Sequence, residues 1–482
     1  MGVYRWGSLI PEFKLLSPAR AQDFPQILAS LITRSGNWKS PSEFRVWTCL
    51  IHELTHYLQD LTTGIGHWDH LTRNRLRPEM FTRVLPLCAV PLDFPLAAVA
   101  VANTFPEPPL STLVDEGQQL HEDLREELVM VAGDAVSSDR RAAFRERAAP
   151  MLVEGGHPDN FQVDSLLEGE AAVTVMRHIF RLEQATERQW KILGTYSSTW
   201  NPDMMSSQYG GLLSEVMPVM WHLFGEDPES LSAAERRAFY EVVWTLTGLL
   251  VDIACAHPSQ ELLANQGQDR REYDPGLRFL RLLAAIGSMS EAELGRLIPA
   301  SGAHDLERAE EVLLACCAYP YIPTRSVYED WLPRFDAFDT DAPEGTQWAE
   351  KLRADCCRIR LEQPGAFIDK SPFSILEHKL PFTVLGPAGT SSIGQRLEHL
   401  EPDALEDRLK DLLVYDTQLG VSDFFFETGR FACPLAAADV CGSAVDACRE
   451  GIHRTSAFPA APGCKVRDWL EGSGAYLGSE DG

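Results

Sequence analysis

The chain has 482 residues, of which 45% are hydrophobic and 23% charged, and its formal net charge is −27 at pH 7. At roughly 100–200 residues per unit that length holds about two to four structural units and at least one sizeable core, which excludes intrinsic disorder as a description of the whole. So large a negative charge argues against a nucleic-acid backbone or an anionic membrane surface as the main partner, because both repel it over the Debye length, and weakly favours a basic peptide or protein.

Residues 1–14 carry Arg5, Glu12 and Lys14 and no apolar run of signal-peptide length, and Trp6 stands where myristoylation after Gly2 needs Ser or Thr. Eleven cysteines, an odd number, are spread through the chain, so a cytoplasmic protein with mostly reduced thiols is expected. The most apolar stretch, Val84 to Ala102, contains Pro86, Pro91, Asp93 and Pro95. Those residues would leave backbone groups unsatisfied in lipid, so the stretch is expected in a core rather than across a membrane.

Ser40-Pro41-Ser42-Glu43 is a helix start, with Ser40 as N-cap, Pro41 in the first turn and Glu43 closing a capping box. The helix is predicted to run to about Leu61 and to stop at Gly64 and Gly66. Within it lies His52-Glu53-Leu54-Thr55-His56, an HExxH sequence. Histidines at i and i+4 stand one above the other, so both imidazoles can reach one metal ion, with Glu53 beside them as a candidate base. At 100° per residue, Trp47, Leu50, Ile51, Leu54, Leu58 and Leu61 form a core stripe. His52 and His56 point to the opposite side, with Cys49 and Gln59, as expected of a polar, uncharged face turned toward a cleft.

The run Cys49 to Gln59 resembles the active-site helix of zincin metallopeptidases. That resemblance implies Zn²⁺ held by His52 and His56 and a water activated by Glu53. The metzincin extension would need Gly and His where this chain has Gln59 and Thr62, so that subclass is excluded. Leu166-Leu167-Glu168-Gly169-Glu170-Ala171-Ala172 is similar to the segment in which glutamate-ligand zincins, the gluzincins, carry their third ligand, and it implies Glu168 in that role. On the wheel Glu168 lies with Ala172, Val175, Met176 and Ile179, where a carboxylate needs a partner. Glu170 lies instead with Thr174, Arg177 and Arg181. The alternatives for Glu168 are a buried ion pair, or His67 and His70 as the ligands that reach back. Well over a hundred residues separate His56 from Glu168, which implies an inserted region over 64–160. His178, Arg177 and Tyr57 are near in sequence as candidate electrophiles.

Further helices are predicted over Leu113–Val131, Asp164–Gln184, Ala233–Ala256, Ser290–Leu297, His304–Cys317 and Pro402–Val414. Loops are expected at 196–202, 318–320 and 339–345. Few segments alternate with period two, so the expected fold is predominantly α-helical with minor β, built on a zincin-like active-site helix pair. The expected organisation is a catalytic unit over 1–200, a helical region over 201–330, a mixed region over 331–428 and a Cys-rich module over 429–482. In that module Cys433, Cys441, Cys448 and Cys464 lack a CxxC knuckle. They suit a structural metal (zinc or an iron–sulfur cluster), unlinked buried thiols or disulfides. Cys316-Cys317 and Cys356-Cys357 are expected in the core.

The implied activity is zinc-dependent endopeptidase hydrolysis of a protein or peptide substrate, the C-terminal parts binding substrate or a regulator. Two other assignments use the same residues. One is a mononuclear non-haem iron enzyme that modifies peptides with oxygen; the other is a non-catalytic interaction protein whose metal is structural.

Overall fold

The computed structural model describes residues 2–4, 9, 11–13, 41–71, 163–181, 232–297, 303–337, 344–368, 370, 375, 377–378, 380, 383–386 and 389–392, and these are mostly helical. Strands β1 (Gly2–Tyr4) and β2 (Pro11–Phe13) precede helix α1 (Pro41–Thr62). Then come α2 (Val163–Arg181), α3 (Ala233–Ala254), α4 (Gln260–Gln266), α5 (Pro275–Ser288), α6 (Glu291–Leu297), α7 (Ala303–Cys316), α8 (Thr324–Asp336) and α9 (Glu344–Glu362). Strands β3 (Thr383–Gly386) and β4 (Gly389–Ser392) follow. Ser40, the side chain of Glu43, the Pro-rich segment 84–109, the loop 196–202, the helices expected at 113–131 and 402–414, and the module 429–482 lie outside the described residues.

The stripe read on α1 is its core face. Phe44, Trp47, Leu50, Ile51, Leu54, Leu58 and Leu61 are all buried, and they pack with Val175 of α2, Ala349, Leu352 and Cys356 of α9, and Phe367. A second core joins Val243, Leu246, Leu250 and Ile253 of α3 to Leu280 and Leu283 of α5, with Leu166 and Leu167 of α2 at one side and Leu313 of α7 at another. Helix α2 thus feeds both cores and packs against α1 as well as α3. A third cluster, with Tyr328, Trp331 and Phe335 of α8 against Cys357 of α9, closes the other side.

Local chemistry explains where several helices begin. Asp274 caps α5 by accepting from the N–H groups of Gly276 at 2.8 Å and Leu277 at 3.1 Å, with Pro275 in the first turn. Ser290 and Glu293 form a reciprocal capping box at the start of α6. Past the end of α3 the buried Arg278 donates to the carbonyls of Ala254 and Ala256, with the Tyr273 and Tyr321 rings 4.9 and 4.8 Å from its guanidinium carbon. A cation at the negative end of a helix dipole, flanked by two aromatic rings, is stabilised without a carboxylate partner.

Helices α4, α5, α8 and α9 go beyond those predicted. Pro333 inside α8 and the density of charge on α9 mask their periodicity, and two of the α9 charges are core residues rather than a solvated face. Arg353 pairs with Asp60 of α1 at 2.6 Å, and Arg360 pairs with Asp252 of α3 at 2.5 and 2.8 Å. The boundary expected between 330 and 331 falls inside α8, whose buried residues Val327, Tyr328, Trp331 and Phe335 straddle it.

The stop expected at Gly64 and Gly66 is a bend, since helical structure resumes over 64–71. Both glycines permit close backbone approach: a Cβ on Gly64 would collide with the backbone of His257, and one on Gly66 with the carbonyl of Asp60. Gly66→Ala is therefore expected to cost roughly 1–3 kcal/mol, measurable as a lower urea midpoint at unchanged slope.

The four strands form one mixed sheet in the order β1-β2-β3-β4. β1 and β2 are antiparallel with Val3 opposite Glu12, β2 and β3 are parallel with Glu12 opposite Leu385, and β3 and β4 are antiparallel. The sheet lays β1 against α1, so that the phenol of Tyr4 donates to Asp60 at 2.7 Å and its ring stacks 6.3 Å from His56.

Candidate metal centre

His52 and His56 project from the side of α1 opposite its core stripe. Their Nε2 atoms are 3.1 Å apart and their rings are perpendicular. Glu168 reaches them from the first turns of α2, 116 residues from His52 in sequence, with Oε2 3.0 Å from His52 Nε2 and Oε1 3.4 Å from His56 Nε2. The three side chains can each offer one ligand atom within 4.8 Å of the others. Ligand atoms about 2.0–2.1 Å from one tetrahedral ion stand about 3.3–3.4 Å apart. The observed separations are close to that spacing, so the residues fit a single divalent ion bound by two imidazoles and a carboxylate.

The electrostatics of the three are coupled. Burial pushes the Glu168 carboxyl up, but His52 and His56 outweigh it and hold it well below the usual carboxylate range. For His52 burial wins and lowers the imidazole, with Glu168 opposing. For His56 burial also lowers it, but Glu168, Glu53 and Gln59 together leave it raised. Glu53, one residue after His52, is 5% exposed. Burial pushes its carboxyl up to about 7, His56 acting against that shift and Glu168 with it. The Cys49 thiol lies 3.9 Å from its Oε1, and the backbone N–H of Tyr4 donates to it. Among the described residues no Lys or Arg forms an ion pair with Glu53.

Behind the ligands the polar face of α1 continues into the interior. Gln59 is fully buried, with its Oε1 2.7 Å from His56 Nδ1 and its Nε2 2.9 Å from the Leu167 carbonyl and 2.8 Å from Glu170 Oε2. This corrects the wheel reading of α2. Glu170 is only 2% exposed, whereas the Glu168 side chain retains 27%. One apolar arc does not describe a helix packed on α1 and α3 at once. The signal for Glu170 was its place two residues after a candidate ligand on a helix otherwise rich in Ala and Val. Lys370, which also approaches this carboxylate, has no comparable sequence signal.

The other candidates lie elsewhere. His67 and His70 are buried beside Phe335, where burial lowers both imidazoles, and His67 Nε2 is 3.4 Å from the Cys357 thiol. They do not join His52 and His56. Tyr57 is fully buried in the core near Asp60, Cys356 and Arg353, and Arg177 donates to Thr245 of α3. Cys356 and Cys357 are buried as expected, while Cys316 and Cys317 are half-buried; all four are free thiols. Cys433, Cys441, Cys448 and Cys464 lie outside the described residues.

Comparison of the chain with known protein families, with curated proteins and with solved structures finds no match. Among the described residues no helix is long and apolar enough to cross a membrane.

Proposed function

We propose that the protein is a zinc-dependent endopeptidase of the zincin type, with His52, His56 and Glu168 as metal ligands and Glu53 as general base. The observation that carries this reading is the convergence of those three ligand atoms from two helices far apart in sequence. A zinc ion held by such a set supplies Lewis acidity toward a carbonyl and lowers the pKa of coordinated water to about 7.

The chain's own residues do the rest. Glu53 accepts the proton of the attacking water and returns it to the nitrogen of the leaving amine. Its burial without a Lys or Arg partner among the described residues leaves that carboxylate free of an ion pair there, and the N–H of Tyr4 and the Cys49 thiol hold it in place. The same two-His, one-carboxylate set serves iron oxygenases. Glu53 favours hydrolysis, because a buried carboxylate one residue from a ligand is placed to take the proton of an attacking water. A net charge of −27 suits a basic protein substrate.

Metal analysis of full-length protein purified without added metal is expected to find zinc, with one equivalent lost in a His52→Ala/His56→Ala double variant. For Cys433, Cys441, Cys448 and Cys464 we propose a structural zinc or an iron–sulfur cluster, supported if metal left in that variant is lost when these four cysteines are replaced by serine. Stoichiometric iron at the histidine site with oxygen-dependent turnover would overturn the peptidase reading. Metal loss that unfolds the protein, with no hydrolysis in the loaded form, would favour a structural role.

A further inference from the structure

The two ring nitrogens of His56 face different surroundings. Nε2 looks toward His52 and Glu168, and Nδ1 toward Oε1 of Gln59 at 2.7 Å. The other end of the Gln59 amide decides which of its atoms faces the ring. The two groups there are a backbone carbonyl, Leu167 O at 2.9 Å, and a carboxylate oxygen, Glu170 Oε2 at 2.8 Å. Both accept hydrogen bonds, so the NH₂ of Gln59 must turn to them and its carbonyl to His56. With an acceptor opposite, Nδ1 is the protonated nitrogen, and the Nε2 lone pair is left to face the other two ligands.

We propose that Gln59 is the positioning residue of the metal centre: it fixes His56 in the Nδ1–H tautomer and ties the Leu167–Glu168 turn of α2 to α1. The proposal rests on the metal-site reading above and adds to it the residue that prepares both ligand-bearing helices. One fully buried amide thus reaches a ligand of α1 and the backbone just before the ligand of α2.

The orientation of Gln59 is itself anchored from behind. Glu170 has Lys370 Nζ 3.7 Å from its Oε1, an oxygen with no hydrogen-bond partner among the described residues. Lys370 in turn donates to Asp252 at 2.6 Å and to the Phe367 carbonyl at 3.1 Å, and Asp252 is gripped by Arg360. The lysine is fully buried on a backbone at φ +41°, a left-handed conformation that non-glycine residues adopt rarely and that surrounding contacts must hold. Glu170, Asp252, Arg360 and Lys370 therefore form one buried quartet behind Gln59, with Lys370 on the far side of the Glu170 carboxyl.

The test uses the full-length protein labelled with ¹⁵N-histidine. Long-range ¹H–¹⁵N spectra of the metal-free form at pH 9, where the imidazole is neutral, read the tautomer, and competition with a chelator reads the affinity for Zn²⁺. Wild-type His56 is expected as the Nδ1–H tautomer. In Gln59→Leu it should shift toward the Nε2–H form favoured by a free imidazole, with Zn²⁺ affinity reduced about 10–100-fold at unchanged helical content. An Nε2–H signal in the wild type would overturn the proposal even if the variant fails to fold, as would a folded Gln59→Leu with wild-type affinity. Absence of Zn²⁺ binding by the wild type would instead overturn the metal-centre reading, and the metal-free spectrum would still decide the tautomer.

Discussion

Replacing Glu53 with glutamine is expected to lower kcat on a denatured basic protein substrate by about 10²–10⁴-fold, the contribution typical of a positioned general base, while the bound metal stays at the wild-type level. Glutamine keeps the shape of the side chain and can still accept from the Tyr4 N–H, but it cannot take a proton from water. The ligands are untouched, because Glu53 is not among the three side chains whose ligand atoms converge. Stability gives an independent control. Glu53 is 5% exposed and has no Lys or Arg partner among the described residues, so removing its charge removes a desolvation cost, and the variant should be at least as stable as wild type at pH 8. Metal content, urea midpoint and kcat measured on one preparation check all three expectations. Full activity in a folded, metal-loaded Glu53→Gln protein would sink the assignment of the base.

The sequence carries the α1 half of this centre almost completely. The HExxH spacing needs only the helical repeat to bring two imidazoles together, and the core stripe from Trp47 to Leu61 settles which side they face. Glu168 was marked by its resemblance and by its place on the apolar arc of the wheel, but nothing local announces that α2 docks its first turns beside His52. Glu170 was misread for a definite reason: a wheel assigns one buried face, and α2 has two. Arg353, Arg360 and Lys370 mislead in the same way, since a cation in sequence suggests solvent and these three are buried against Asp60 and Asp252. The strands, three or four residues long, are too short to show alternation, and the pairing of Glu12 with Leu385 joins distant parts of the chain. Helix α3 was legible because its apolar stripe meets one core.

The largest expected loss of stability comes from Asp252→Asn. Asp252 is the acid shared by Arg360 and Lys370, at 2.5 and 2.6 Å, and all three side chains are at most 3% exposed. Removing the charge leaves two buried cations facing each other, with Glu170 the remaining acid in ion-pair range of Lys370 among the described residues, and breaking a buried pair in this way costs about 3–5 kcal/mol. The pH dependence provides a second signature. Burial alone would push the Asp252 carboxyl up, but Arg360 and Lys370 outweigh it and hold the group at about 2. A carboxylate depressed in the folded state contributes stability above its unfolded pKa of about 3.9 and loses it as pH falls toward the folded value. Wild type is therefore expected to lose about 2 kcal/mol through this group between pH 4 and pH 2, and Asp252→Asn to lack that component. Asp252→Leu combined with Arg360→Met and Lys370→Met should recover much of the deficit, because an apolar replacement removes every unpaired charge except Glu170. Urea titrations at pH 7 and pH 3 separate the cases: an Asp252→Asn midpoint equal to wild type at pH 7 would mean that the quartet does not hold α3 to α9.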